Sequence, residues 1–183
     1  KMVSLLSATV FLMLTMTHGN MIRFPMPITS IIFHASNRTL IGKIQRQEVF
    51  DIMKFWADKG IDGFRLDAFQ FVAKDTTFPL FPKDFEKDFV KYYAMQGNLH
   101  GYLQEMNKEV LSKYDVMSVA EGAGNSFEDA HNLVDEDRHE LNMAYAFEGV
   151  DIAKTEGFSF LHFKEVFTRL DSAFTDKGWV SIF

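Results

Sequence analysis

The feature that most constrains the fold is a regular alternation of short apolar strands with amphipathic helices from about residue 45 onward. Four segments have strand character: "GFRLDAF", "VMSVAEG", "LNMAYAFEG" and "WVSIF". Four segments carry apolar residues at helical spacing: "RQEVFDIMKFWADKG", "NLHGYLQEMNKEVLSKYD", "SFEDAHNLVD" and "FSFLHFKEVFTRLDSAF". Strands that alternate with helices predict a parallel sheet with right-handed crossovers, which is an α/β fold.

The first of these helices has a broad apolar face and a clear end. We expect the core-facing residues to be Val49, Ile52, Met53, Phe55 and Trp56. The helix should stop at Gly60, because glycine is the residue type that commonly follows a helix C-terminus.

Carboxylates near the ends of three predicted strands favour one α/β architecture over another. An open doubly wound sheet and a closed eight-stranded barrel both place function at the C-terminal ends of their strands. No glycine-rich fingerprint for a dinucleotide follows any strand. Asp67, Glu121 and Glu148 each lie near a strand C-terminus. Carboxylates that converge on one mouth favour the (β/α)8 barrel.

Arg65 and Asp67 are two residues apart in the strand "GFRLDAF", so their side chains should share a face. We expect the Arg65 guanidinium to lower the pKa of Asp67 and to orient its carboxylate as a nucleophile. The apolar run before Glu121 favours a neutral acid. Two carboxyl groups that differ in ionisation are what a glycosidase requires. A structural ion pair is the commoner explanation of an Arg and an Asp at a strand end.

Composition excludes several kinds of function. A net charge of −6 and the lack of a basic cluster argue against a nucleic-acid partner. The chain has no cysteine, which excludes disulfides, thiol nucleophiles and zinc-thiolate sites. The histidines lack the paired spacing of a zinc helix, and no cluster of oxygen ligands is evident. We therefore predict no metal and no cofactor.

The N-terminal region differs from the remainder. Lys1 precedes the apolar stretch "MVSLLSATVFLMLTM", which is typical of a signal peptide and too short for a comfortable membrane span of about 20 residues. The alternatives for residues 1–20 are a buried helix or strand, or a leader foreign to the domain. Export would follow only from the signal peptide. Residues 21–46 stay unassigned, and the domain is predicted over residues 47–183.

Two motifs resemble those of a known enzyme family. "GIDGFRLDAF" is similar to the fourth-strand motif of glycoside hydrolase family 13, the α-amylase family, and "VMSVAEG" resembles its fifth-strand acid motif. The segments "AKDTTFP", "LHGYLQEMNKEVLSKYDVMSVAE", "DEDRHELNMAYAFE" and "KGWVSIF" resemble its α-glucosidase and oligo-1,6-glucosidase branch. The resemblance covers roughly residues 47 to 183.

The resemblance implies a (β/α)8 barrel in which Asp67 is the nucleophile, Glu121 the general acid/base and Arg65 the orienting arginine. Hydrolysis of α-linked gluco-oligosaccharides would then retain the anomeric configuration, with the two carboxyl groups about 5 Å apart. Arg65 and Glu148 are the predicted substrate-binding residues.

The resemblance also implies parts that this chain lacks. We find no counterpart of the first three barrel strands in residues 1 to 46, and the family's Asn-His-Asp motif would follow Phe183, where the chain ends. We therefore expect only barrel strands four to seven, with open edges that would lead the chain to self-associate or to need the missing half. The alternatives are a sucrose- or maltose-isomerising transglycosylase and a non-catalytic, ancillary or decayed relative.

Overall fold

A computed structural model of the protein describes residues 10–14, 31–33, 42–73, 75, 77, 79–122, 124, 126–147, 152, 159–174 and 178–181. The strands are β1 (Val10–Leu14), β2 (Ile31–Phe33), β3 (Gly63–Leu66), β4 (Met117–Ala120), β5 (Met143–Tyr145) and β6 (Trp179–Ser181). The helices are α1 (Lys43–Ala57), α2 (Phe89–Tyr93), α3 (Leu99–Glu109), α4 (Phe127–Val134) and α5 (Phe160–Ala173).

The strands form one sheet in the order β2-β1-β3-β4-β5-β6. The four strands from β3 to β6 are parallel, and helices lie between them in sequence, as the alternating pattern predicted. β1 is antiparallel to both of its neighbours, β2 and β3. The sheet is therefore parallel where the sequence pattern was regular, and antiparallel only where it was not.

The helical spacing of apolar residues predicted the positions of four helices. α1, α3, α4 and α5 lie within or nearly within the predicted segments, and Gly60 has a positive φ of 82° just beyond α1. α4 follows a serine cap, where the Ser126 side chain accepts a hydrogen bond from the amide of Asp129 at 3.1 Å.

The predicted apolar face of α1 was partly wrong. Met53 is buried as expected, and Val49 and Trp56 pack against the core, but Phe55 is 54% exposed. Phe50 and Ala57 are buried instead. A run this rich in apolar residues allows several helical faces, and the position of the sheet selects one of them.

Two strands lie in the N-terminal region. β1 falls within the apolar stretch of residues 1–20, and β2 falls within the unassigned residues 21–46. A strand was among the alternatives for the apolar stretch. The rest of both segments lies outside the described residues, so the signal peptide stays a prediction.

The helices cover one face of the parallel sheet. Strand register aligns Phe64 with Ser118 and Leu66 with Ala120, and these side chains are all buried. They pack into a core with residues from the helices: Phe50, Met53, Leu99, Leu103, Leu133, Val166 and Leu170. Burying each large apolar side chain contributes about 1.5–3 kcal/mol. On the opposite face, Met117 and Trp179 are 46% and 65% exposed.

Candidate active site

Asp67 and Glu121 lie at the C-terminal ends of two adjacent parallel strands. Asp67 directly follows β3 and Glu121 directly follows β4. The register aligns Leu66 with Ala120, and the amide of Glu121 donates a hydrogen bond to the carbonyl of Leu66 at 3.0 Å. The backbone ladder therefore brings the two carboxylates to the same level on the same face of the sheet.

Arg65 bridges the two acids. Its Nε lies 3.1 Å from Oδ1 of Asp67, and its Nη2 donates a hydrogen bond to Oε1 of Glu121 at 3.0 Å. The guanidinium also lies over the ring of Tyr145 from β5, 5.9 Å from its centroid. Arg65 and Asp67 share a face, as the strand period indicated, and Glu121 lies on the same face.

The electrostatics of Asp67 differ from the expectation. Burial raises the pKa of the Asp67 carboxyl above its ordinary value, Arg65 opposes this by a smaller amount, and the negative charge of Glu121 raises the pKa further. Arg65 does lower the pKa of Asp67, as expected, but the net shift is upward because desolvation outweighs the attraction of the guanidinium. The side chain of Asp67 is only 16% exposed.

The Asp67 oxygen nearest Arg65 is buried but not hydrogen-bonded by any described residue. Oδ1 of Asp67 and Nε of Arg65 are 3.1 Å apart, yet their alignment does not satisfy hydrogen-bond geometry. A buried carboxylate oxygen usually has a donor. Among the described residues, Oδ1 therefore has the charge of Arg65 beside it but no hydrogen-bond donor.

Both oxygens of Glu121 accept hydrogen bonds. Oε1 accepts from Arg65, and Oε2 accepts from the backbone amide of Ala68 at 3.0 Å. Ala68 has a left-handed conformation, with φ of 50°, in the turn that follows Asp67. This turn allows the backbone after Asp67 to hold the side chain of Glu121 from the next strand.

Gln70 and Phe147 flank the residue after Glu121. Gly122 has φ of 93°, and a Cβ atom at this position would lie 3.4 Å from Phe147 Cε2 and 3.5 Å from Gln70 Oε1. Phe147 follows β5 and is 45% exposed. An aromatic ring therefore lies at the edge of the acid pair. The predicted ligand Glu148 lies outside the described residues.

Comparison with known proteins identifies the family. The family model for the alpha-amylase catalytic domain matches residues 42–183. The chain belongs to the alpha-amylase family. The matched range begins five residues before the predicted domain boundary at residue 47.

Several relatives of this alpha-amylase family chain are oligo-1,6-glucosidases. Those of Heyndrickxia coagulans and Bacillus cereus are 38% and 40% identical, over 75% of this chain and 27% and 26% of their own length. The chain thus spans about a quarter of the curated relatives it matches. Among solved structures, isomaltulose synthase from Klebsiella sp. LX3 is 31% identical with a TM-score of 0.70, covering 76% of this chain and 26% of that one.

Membership of the alpha-amylase family confirms the predicted fold class. The structural neighbours are barrel enzymes, so β3 to β6 correspond to strands four to seven of a (β/α)8 barrel. On the other side of β3, where the third barrel strand would pair, β1 pairs in antiparallel orientation. The face that carries Arg65, Asp67 and Glu121 is the inner face of the barrel.

Sequence reasoning missed several residues that shape this alpha-amylase family site. The amide of Ala68 bonds Glu121 and the ring of Tyr145 lies beside Arg65, and neither residue type signals such a contact by itself. Phe69, in the turn after β3, is buried in the core. Within the described ranges there is no group of three acidic or histidine side chains arranged to bind a metal ion. No helix in those ranges is long and apolar enough to cross a membrane.

Proposed function

We propose that the chain carries the nucleophile and the acid/base of a retaining α-glucoside hydrolase of the oligo-1,6-glucosidase type. The observation that carries this proposal is the bridging of Asp67 and Glu121 by Arg65 at adjacent strand ends. The substrate would be an α-linked gluco-oligosaccharide or disaccharide. The names of the relatives support this substrate class.

In the first step, the carboxylate of Asp67 attacks the anomeric carbon and forms a glucosyl ester. Glu121 gives its proton to the departing glycosidic oxygen, so the carbon–oxygen bond breaks without releasing an alkoxide. In the second step, Glu121 takes a proton from water, which attacks the same carbon and displaces Asp67. Two inversions give net retention.

Arg65 and Phe147 have supporting roles in this mechanism. Arg65 keeps Asp67 in carboxylate form against the burial that favours the neutral acid, and it fixes the two carboxyl groups relative to each other. The half-exposed ring of Phe147 offers an apolar face on which a pyranose ring can stack. Glu148 is proposed to hydrogen-bond sugar hydroxyls.

The test is replacement of the nucleophile. We expect Asp67→Asn to lower the turnover of α-glucosyl fluoride by on the order of 10⁴-fold or more, because a neutral amide cannot form the ester. The exposed Asp62→Asn change, five residues earlier, is the matched control and should leave turnover unchanged.

Two further readouts constrain the assignment. A 5-fluoroglucosyl fluoride should trap an ester on the peptide that contains Asp67, seen by mass spectrometry. NMR of the first product should show the α-anomer. Turnover that survives Asp67→Asn, or an inverted product, would contradict the proposal; absence of turnover and of trapping in the wild-type chain would favour a non-catalytic relative.

A sucrose isomerase is the second candidate, because the isomaltulose synthase of Klebsiella sp. LX3 has the same local fold. In that case the fructose released in the first step, instead of water, would attack the glucosyl ester. Product analysis after incubation with sucrose separates the two functions. Glucose and fructose indicate hydrolysis, whereas an isomeric disaccharide indicates transfer.

We also propose that the chain self-associates through the inner face of its sheet. Trp179 and Met117 lie on this face, since register aligns Trp179 with Met143 and Met143 with Val119. Both are substantially exposed, and a second copy would bury them. Sedimentation should detect a dimer that Trp179→Gln weakens. A concentration-independent monomer would contradict self-association.

A further inference from the structure

A side-chain clamp joins β4 to the start of β5 away from the acid pair. Oδ1 of Asn142 accepts hydrogen bonds from the amide and the hydroxyl of Ser118, both at 2.9 Å. The amide of Asn142 donates to the Ser118 hydroxyl oxygen at 3.0 Å. The hydroxyl thus donates and accepts within one closed set of bonds between two residues.

The clamp extends the pairing of the two strands by one step. Backbone register between β4 and β5 aligns Val119 with Met143 and Ala120 with Ala144. Ser118 and Asn142 are the next aligned positions toward the N-terminal ends, where the Asn142 side chain accepts the bond from the Ser118 amide. Ser118 is fully buried on the helix-covered face, so losing these bonds would leave polar groups unsatisfied.

We infer that Asn142 is a positioning residue for Glu121, acting through Ser118. Glu121 directly follows β4 and is three residues beyond Ser118, a distance of about 10 Å at the usual rise. β4 has only four residues, so few ladder bonds resist a shift against β5. A slip of one residue would turn Glu121 to the other face of the sheet. The catalytic part of this inference rests on the proposed function.

The segment that carries Asn142 is itself held in place. Glu140, two residues earlier, is fully buried and accepts two hydrogen bonds from Arg138, and His100 of α3 lies 2.7 Å from its other oxygen. Asn107 of α3 donates to the backbone carbonyl of Glu140 at 3.0 Å. Asn142 therefore provides a fixed point against which β4 is aligned.

The dependence on the leaving group tests this role. Departure of fluoride needs little help from an acid, whereas departure of a sugar alkoxide needs the proton of Glu121. We expect Asn142→Ala to lower kcat for isomaltose about 10- to 100-fold more than kcat for α-glucosyl fluoride, as a displacement of the acid by about 1 Å would do. A residue that only stabilises the fold would lower both rates by the same factor.

Two further variants isolate the clamp. Asn142→Asp keeps the oxygen that accepts from Ser118, so it should retain the wild-type ratio of the two rates. Asn107→Ala removes a hydrogen bond to the same segment without touching Ser118, so it should lower stability while leaving the ratio unchanged. Equal losses on both substrates in Asn142→Ala, or the same skewed ratio in Asn107→Ala, overturn the inference.

Hydrogen exchange tests, without any activity measurement, whether the hydrogen bonds between Asn142 and Ser118 hold β4 in place. The Glu121 amide is bonded to the Leu66 carbonyl, and its protection reports how firmly β4 is seated. We expect at least about 10-fold faster exchange at Glu121 in Asn142→Ala than in Asn107→Ala. If the wild-type chain turned over neither substrate, the proposed function would fail and this measurement alone would decide the clamp. Equal protection in the two variants refutes it.

Discussion

Glu140 and Asp67 carry carboxylates at opposite ends of the parallel strands, and the hydrogen bonds that their oxygens accept differ. Glu140, before β5, is fully buried and surrounded by donors: Arg138 binds one oxygen at 2.7 and 3.1 Å, and His100 lies 2.7 Å from the other. Asp67, after β3, is partly buried, with its side chain 16% exposed, and its Oδ1 accepts no hydrogen bond from the described residues. We infer that Glu140 and Asp67 have different roles.

The difference indicates that one end of the sheet contributes to stability and the other carries the candidate active site. A buried charge with all its bonds made fixes the elements around it, and here Glu140 ties α3 to the segment before β5. A buried carboxylate oxygen that lacks a hydrogen-bond donor costs free energy. We propose that Glu140, near the N-terminal strand ends, serves stability and that Asp67, at the C-terminal ends where barrel enzymes carry their active sites, is the carboxylate that reacts.

The largest expected effect on stability comes from removing the structural carboxylate. Glu140→Ala should lower the free energy of unfolding by about 3 kcal/mol, the lower part of the range for a broken buried pair, because Arg138 and His100 are both partly exposed. Urea unfolding measures this. Glu136→Ala, on an exposed glutamate four residues earlier, should change it by less than about 0.5 kcal/mol. Equal losses in the two variants would show that Glu140 contributes no more to stability than an exposed glutamate does.

The next largest effect is expected on turnover, from weakening the contacts of Arg65 with Asp67 and Glu121. Arg65→Lys should lower turnover by on the order of 10²-fold, because a single ammonium cannot contact Asp67 and Glu121 in the geometry of the planar guanidinium. Steady-state rates with α-glucosyl fluoride measure the loss. Arg46→Lys is the control, since Arg46 pairs with Glu105 between α1 and α3. A similar loss in that variant would indicate a general effect of the substitution.

The smallest effect is a gain in stability at the reactive end. Since burial raises the folded pKa of Asp67 above its unfolded value, the native state holds more protons between the two values, and stability falls as pH rises through that window. Asp67→Asn should therefore be more stable than wild type at neutral pH. The difference should disappear below about pH 4, where the carboxyl is protonated in both states. Thermal unfolding at both pH values tests this, and a destabilised variant at pH 7 would contradict it.

Local patterns predicted much of the architecture and part of the site. Residues three or four apart specify helices, and residues two apart specify strand faces, so α1, α3, β3 and β4 could be predicted from neighbouring residues. The same period placed Arg65 beside Asp67. The apolar face of α1 was less well predicted, because the choice between Phe50 and Phe55 depends on where the sheet lies.

The tertiary structure decided how the site works. Ser118 and Asn142 are 24 residues apart, His100 and Glu140 are 40 apart, and no short-range pattern links such pairs. The net direction of the pKa shift of Asp67 was mispredicted for the same reason, since desolvation depends on everything that surrounds the carboxyl, whereas its attraction to Arg65 could be read from two neighbouring positions. The sequence by itself determined the elements, the family motifs and the candidate carboxylates. Only the packed sheet determined that both oxygens of Glu140 have side-chain partners and that Oδ1 of Asp67 has no hydrogen-bond donor among the described residues.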